Sequence, residues 1–384
     1  MHDYEIIIAG AGPSGCAAAL QLAKIDPNLA SRVLLLDKAI FPRPKLCAGA
    51  VSADGALVLE QLGVEFDVPA VPVHITQMIL PSGRLSFQQL NHFRVVSRER
   101  FDLHLFQAAQ KRGVITQDGE GVEDVVHTKN EVIVRTSKDE YRAKILIAAD
   151  GANSAVRGSL GFSRVGRIMV GMEIHVPLSE LLLPGFGDLE DNTILLDFEP
   201  LSQNLPGYCW VFPTVNEGPP VVSLGILAAP FGNGRVSSVK NVFADWLNKH
   251  SVDLGAFHVR AHPALRYEGR ASSSQDRVLF VGDAAGLEPL FGEGIASALA
   301  LGTLAADLAV EALLTNDFSF SNYEKRIRKS PIGSMMRRRN MVARRIYSQP
   351  QLARLLLKQG ALIRGIALLQ ARKSGARITW IPSS

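Results

Sequence analysis

Residues 4–15, YEIIIAGAGPSG, set an apolar run directly before Gly10, Gly12 and Gly15, and an alanine-rich stretch, Pro13 to Ala23, follows at once. The apolar run reads as a buried strand, Pro13–Ala23 as a helix and residues 32–37 (RVLLLD) as a second strand, so the segment predicts a βαβ unit. In that setting the glycines have separate duties. Gly10 makes a tight turn, Gly12 lets backbone approach a pyrophosphate, and Gly15 permits close packing of the helix. Pro13 and Ser14 open the helix, whose N-terminus offers positive potential to a phosphate. Asp37 ends the second strand, where an acid binds a ribose hydroxyl pair. A dinucleotide site is expected, of a kind these residues leave open.

Outward from this unit, strand-like runs recur at 73–80 and 131–135, and again at 145–149, where the apolar run stops at Asp150. Residues 97–112 read as a helix. From about 168 to 268 the texture turns to β-branched and aromatic runs broken by Pro and Gly, which predicts an antiparallel sheet. A buried strand returns at 277–282, a small-residue helix is expected from Gly292 to Leu314, and from about 320 the chain is basic and helical, with breaks at Pro331 and Pro350.

Two later motifs narrow the choice of dinucleotide. Asp150-Gly151-Ala-Asn-Ser154-Ala-Val-Arg157 and Gly282-Asp283-Ala-Ala-Gly286, continuing to Pro289 and Gly292-Glu-Gly294, each place an acid and a glycine after a buried strand. Nicotinamide dehydrogenases do not need these loops. Over roughly residues 4–315 the set resembles the glutathione-reductase-type flavoproteins in their hydroxylase-like branch. The resemblance implies FAD, with the first loop and Lys38 at its nucleotide half, Asp283 at the ribityl-phosphate region, and Gly292, Gly294 and Ile295 facing the isoalloxazine. Arg98, in RERFD, matches a stretch of that branch in which the arginine reaches the cofactor. No second GxGxxG follows a strand, which disfavours a disulfide reductase with its own NAD domain.

Within the branch the sequence is most similar to the geranylgeranyl reductases, which saturate isoprenoid double bonds. Pro44-Lys45-Leu46-Cys47-Ala48-Gly49 follows the ribose-binding strand like their P-x-K-x-C-G segment, with Ala48 where glycine is usual. That likeness puts Lys45, Cys47, Ala48 and Gly49 beside the flavin, and Cys47 is the candidate catalytic residue; a small buried hydrophobe is its plainer role. Tyr208-Cys-Trp210-Val-Phe212-Pro213 matches their YxWxFP motif, with Gly225 in the next strand and Thr214 in place of a lysine. Strand alternation puts Tyr208, Trp210 and Phe212 on one face, an aromatic wall for a long apolar chain. Pro289 is expected against the same substrate. Gly286, where many hydroxylases carry histidine, and Glu293 complete the comparison.

The resemblance thus implies an α/β fold: a glutathione-reductase-type, Rossmann-like FAD domain, an antiparallel-sheet substrate domain and a C-terminal helical region. The expected boundaries are 1–70, 92–167 and 269–318 for the discontinuous FAD domain, 71–91 and 168–268 for the substrate domain, and 319–384 for the basic region.

Composition bounds the rest. The chain has 384 residues, 47% of them hydrophobic, and its three cysteines (Cys16, Cys47, Cys209) lie too far apart for a disulfide framework or a four-thiolate cluster. His258 and His262 have i,i+4 spacing, but Pro263 argues against the helix that would align them, so no metal is expected. Acids before the first apolar run, and glycines within it, argue against a secretory signal, which leaves a cytoplasmic reading. The formal charge of +4 hides an asymmetry: residues 325–384 hold 15 of the 41 Lys and Arg and none of the 37 Asp and Glu. Between Gln351 and Lys373, Arg354, Lys358, Arg364 and Arg372 cluster on one side of a helical projection whose remainder is apolar, which suits an anionic membrane surface or a solvated packing helix. No nucleic-acid module accompanies the charge.

The expected activity is FAD-dependent saturation of a polyprenyl lipid, with NAD(P)H and ferredoxin both open as electron donors. The alternatives are a monooxygenase or halogenase of the same fold, and a membrane-associated flavin electron carrier.

Overall fold

The structure, a computed structural model, describes residues 2–162, 168–181, 192–215, 218–231, 237–268, 273–349, 358 and 377–382. Two sheets organise it. The first contains β1 (His2–Ala9), β2 (Val33–Asp37), β6 (Ile115–Asp118), β7 (Val122–His127), β8 (Val132–Thr136), β9 (Glu140–Ala148), β15 (Ser274–Gln275) and β16 (Val278–Phe280). Its order is β15-β16-β9-β1-β2-β6, parallel from β16 to β6, with the β7–β8 hairpin joined antiparallel to β9. β1 is covered on both faces, which is why Ile6, Ile7 and Ile8 run without a polar interruption and are all fully buried. Each such side chain contributes about 1.5–3 kcal/mol through removal from water.

Helices complete this layer: α1 (Pro13–Ile25), α2 (Pro27–Ala30), α3 (Ala53–Gln61), α4 (Arg98–Lys111), α5 (Ala155–Ser159) and α7 (Ile295–Thr315). α7 is long and apolar enough to cross a membrane by composition, yet it packs along α1 and buries residues from Ile295 to Ala312 in the core. It starts at Ile295 rather than at the expected Gly292, because Gly292 has φ +67° and lies in the preceding loop.

The second sheet contains β3 (Ala50–Ser52), β4 (Ala70–Leu80), β5 (Gly83–Val96), β10 (Ile168–Pro177), β11 (Thr193–Asp197), β12 (Gly207–Pro213), β13 (Val221–Ala228), β14 (Arg260–Leu265) and β17 (Arg377–Pro382). Its order is β14-β10-β13-β12-β11-β4-β5-β17, with β3 on β5. The expected antiparallel pattern holds except where β11 runs parallel to β4. α6 (Val239–Lys249) covers the outer face, its Val242, Phe243, Trp246 and Leu247 closing a core with Ile174, Val211 and Leu224.

The C-terminal region is helical as expected through α8 (Tyr323–Lys329) and α9 (Pro331–Tyr347). Its end corrects the sequence reading: Arg377–Pro382 is a strand that pairs with β5 along its whole length. The β-branched and aromatic residues Ile378, Thr379, Trp380 and Ile381 favour that edge position, and Pro382 ends it. Apart from an exposed Lys358, the basic stretch 351–373, with Arg354, Arg364 and Arg372, lies outside the described residues.

Candidate cofactor and substrate site

A cavity of about 1290 Å³ lies between the two sheets. It is larger than the roughly 300–1,000 Å³ of an ordinary small-molecule pocket. Its glycine-lined end is made mostly of backbone. Gly10 has φ +103°, and a Cβ there would sit 2.3 Å from the Ala149 carbonyl oxygen, so only glycine lets β1 turn this tightly beside the end of β9. Gly12 caps α1 with no side chain on the helix end, and Gly12, Pro13 and Ser14 face the cavity. Gly15 lies behind this wall: a Cβ there would overlap the Gly10 carbonyl oxygen, so its part is packing. Asp37 lines the cavity while accepting the Ala11 N–H at 2.8 Å and the Ala39 N–H at 2.9 Å, and Lys38 lines it as well. Tying Asp37 to the glycine loop fixes the spacing between helix terminus and carboxylate.

Asp150 and Asp283 enter from the ends of β9 and β16. Asp150 accepts the Val156 N–H through Oδ2, while its Oδ1 is buried with no hydrogen-bond partner; burial pushes this carboxyl up. A buried oxygen of this kind inside a cavity is matched to a donor group on a ligand. Arg157, fully buried, donates to the Ala284 carbonyl at 2.9 Å and stacks on Phe162 and Phe280, so it joins the Asp150-Gly151 loop to the Gly282-Asp283 turn. Gly282 packs against Ser14 and does not line the cavity, whereas Gly151 and Asp283 do.

The loop before α7 is clamped from outside the first sheet. Glu288, fully buried, accepts the N–H groups of Leu290, Phe291 and Glu293 at 2.8–3.2 Å. Arg339 of α9 bridges Glu288 at 3.3 Å and Glu293 at 2.5 Å, and the Tyr347 hydroxyl donates to the Leu290 carbonyl. Burial pushes the Glu288 carboxyl up, with Arg339 pulling against it. The clamp presents Gly292, Gly294 and Ile295 to the cavity. Pro289, expected against substrate, is buried and does not line the cavity, whereas Leu287 and Phe291 do.

Lys45, Cys47, Ala48 and Gly49 run along the middle of the cavity. Lys45 Nζ lies 3.0 Å from His262 Nε2, and burial pulls both groups down from their ordinary values. His262 thus belongs to this cavity rather than to a pair with His258; it sits on β14, not on a helix. The Cys47 thiol accepts the Gly49 N–H at 3.4 Å. Arg98 makes two 2.9 Å bonds to buried Asp102, which Arg43 also meets at 3.2 Å. Burial works against the Arg98 charge, but Asp102 and Cys47 hold its proton more firmly than usual.

The far wall is the inner face of the second sheet. The register sets Tyr208 opposite Leu227, Trp210 opposite Gly225 and Leu196, and Phe212 opposite Ser223. Leu196 is in turn opposite Met78 on β4. Tyr208, Trp210 and Phe212 all line the cavity, as strand alternation predicts, together with Ile194, Leu196 and Met78. Burial pushes the Tyr208 hydroxyl up, and it donates to the Phe291 carbonyl.

Sequence reasoning did not single out Met78, Ile194, Leu196 or Phe291, which look like ordinary core residues. It set His262 aside because Pro263 excludes a helix. The alternation of β4 and β11 marks their inward faces, but only the pairing of β11 with β4 shows that both join the aromatic wall.

Residues 3–300, well over half of the chain, match the FAD binding domain family. The chain is 27% identical over 343 residues to an uncharacterised protein of Methanosarcina barkeri, covering 86% of this chain and 81% of that one. It is likewise 27% identical over 347 residues to digeranylgeranylglycerophospholipid reductase 2 of Methanosphaera stadtmanae, covering 85% and 82%. Among solved structures its fold superposes on a geranylgeranyl bacteriochlorophyll reductase-like protein of Thermoplasma acidophilum with a TM-score of 0.69 at 21% identity, covering 94% and 88%. The dinucleotide is therefore FAD, and the α/β fold with an FAD-binding domain and a C-terminal helical region is the expected one. The glycine turn at Gly10, the open end of α1 and the unpartnered Asp150 Oδ1 all fit that cofactor.

Proposed function

We propose that this chain, which belongs to the FAD binding domain family, saturates carbon–carbon double bonds of a polyprenyl lipid. The observation that carries the reading is one cavity with two chemistries: a glycine- and acid-lined end for a dinucleotide, opening onto an apolar wall of Tyr208, Trp210 and Phe212. Relatives named as digeranylgeranylglycerophospholipid reductases support the same substrate class.

FAD, when bound and reduced, supplies a hydride equivalent to one alkene carbon. In this reading Gly10, Gly12, Ser14 and the α1 terminus hold the pyrophosphate, Asp37 a ribose, Asp150 and Asp283 the polar groups between, and the Gly292–Ile295 loop the ring. The aromatic wall holds the isoprenoid chain in place and excludes water, which converts a loose encounter into an oriented one. The second alkene carbon takes a proton, and the cavity lining beside that wall offers donors in Lys45 Nζ, His262 and the Cys47 thiol.

A prenyl lipid is met in a bilayer. The outer face of α9 carries exposed Arg337, Arg338, Arg344 and Arg345 around Met341 (56% exposed) and Val342 (44%), and Arg338 also lines the cavity. In this reading that face meets an anionic membrane surface.

The test is anaerobic incubation of the dithionite-reduced holoenzyme with geranylgeranyl lipids in anionic and neutral vesicles. The expected result is reoxidised flavin and product heavier by two hydrogens per bond, faster on anionic vesicles. No mass gain across a prenyl panel overturns the reading, and substrate-stimulated oxygen uptake with an oxygenated product replaces it with a monooxygenase.

A further inference from the structure

Trp210 is held by more than packing. Its indole lies flat across Gly225, where a Cβ would come within 2.1 Å of the ring. The indole N–H donates to Ser223 Oγ at 3.1 Å, and Ser223 Oγ donates to Glu173 Oε2 at 3.3 Å. Glu173 is paired with Arg260 at 2.9 Å. The register explains the line: Arg260, Glu173, Gly225 and Trp210 are successive partners across β14, β10, β13 and β12. Ser223 lies two residues from Gly225, on the same face.

Glu173 is 1% exposed and Ser223 0%. A buried carboxylate is costly, and a hydrophobic residue of similar volume is often the more stable choice there. Its chemistry here is directional. A serine hydroxyl has one proton; once that proton is committed to Glu173, the lone pairs are set and one is aimed at the indole N–H. Without the carboxylate the hydroxyl can rotate and the indole loses its fixed acceptor. His175 lies 3.7 Å from Glu173, and burial together with Arg260 pulls it down to about 4, so at neutral pH it does not compete as a cation.

We propose that Glu173, acting through Ser223, fixes the Trp210 indole and thereby sets the shape of the apolar half of the cavity. Glu173 and Ser223 are then positioning residues for the isoprenoid chain, and this assignment of their purpose rests on the prenyl reading above.

The experiment uses the oxidised holoenzyme, with geranylgeraniol as probe and flavin absorbance as the readout of binding. Ser223→Ala and Glu173→Gln are each expected to weaken geranylgeraniol binding about tenfold, a loss of about 1.4 kcal/mol, with FAD content unchanged. In a Trp210→Phe background, which lacks the N–H, neither change should alter binding by more than about twofold. An equal effect in both backgrounds overturns the proposal. A second measurement does not depend on prenyl binding. With 15N-tryptophan label, Glu173→Gln should move the Trp210 indole N–H resonance and leave those of Trp246 and Trp380 in place. An unmoved Trp210 resonance overturns the proposal even where geranylgeraniol binds; a moved resonance in an enzyme that binds no prenyl probe upholds the positioning and removes only the substrate reading.

Discussion

At the glycine-lined end of the cavity the fit is made by backbone: a turn at Gly10, the bare end of α1, and carboxylates tied to backbone N–H groups. At the apolar end it is made by side chains from β4, β11, β12 and β13, brought side by side only by sheet pairing. The first arrangement rests on backbone positions and tolerates almost no change of residue type at Gly10. The second depends on long-range register, and its residues are replaceable by others of similar size at modest cost. The two ends should therefore fail separately.

The largest effect is expected from Gly10→Ala. The new methyl meets the Ala149 carbonyl at 2.3 Å and the φ of +103° is unfavourable for alanine, so flavin retained after desalting should fall at least tenfold. Absorbance at the flavin band against protein concentration measures it. Full retention would mean that the cofactor does not depend on this turn.

The matched change at the other end is Gly225→Ala. Its methyl meets the Trp210 ring at 2.1 Å and the Met172 carbonyl at 2.6 Å, so the indole must lift into the cavity. Flavin content should stay near that of the parent, geranylgeraniol binding should weaken about tenfold, and unfolding free energy should fall by about 1–3 kcal/mol. Loss of flavin here would erase the contrast between the ends.

The effect smallest at the cavity itself lies behind the apolar wall. Asp197, on β11, accepts the Trp246 indole N–H at 2.9 Å under α6, and burial pushes its carboxyl up from 3.8 to about 6. A carboxyl raised in the folded state holds its proton longer than the unfolded chain does. Stability should therefore fall as pH rises from about 4 to 6 and change no further from this group above that, by at most about 3 kcal/mol. The difference between parent and Asp197→Asn in denaturant titrations at pH 4 and pH 7 isolates it, and a difference independent of pH would show that the carboxyl is not raised.

Three particulars mark how far the sequence could be read. Asp150 and Asp283 were legible because each follows a buried strand directly, so local order alone points them into the cavity. His262 was not, because its value comes from Lys45, which lies 217 residues away. The β17 strand was hidden by its setting in a basic, helix-like tail, although its own six residues alternate in a way that suits an edge.

The sequence by itself determined the βαβ unit, the glycine turn, the acids at strand ends and the aromatic alternation of β12, because each depends on residues a few positions apart. Only the tertiary structure decided that Arg339 and Tyr347 of α9 clamp the loop before α7, that Arg157 joins the two acidic loops, and that Glu173 reaches Trp210 through Ser223. These contacts join residues 13 to 127 positions apart, and a contact between remote residues leaves no period or spacing in a single sequence.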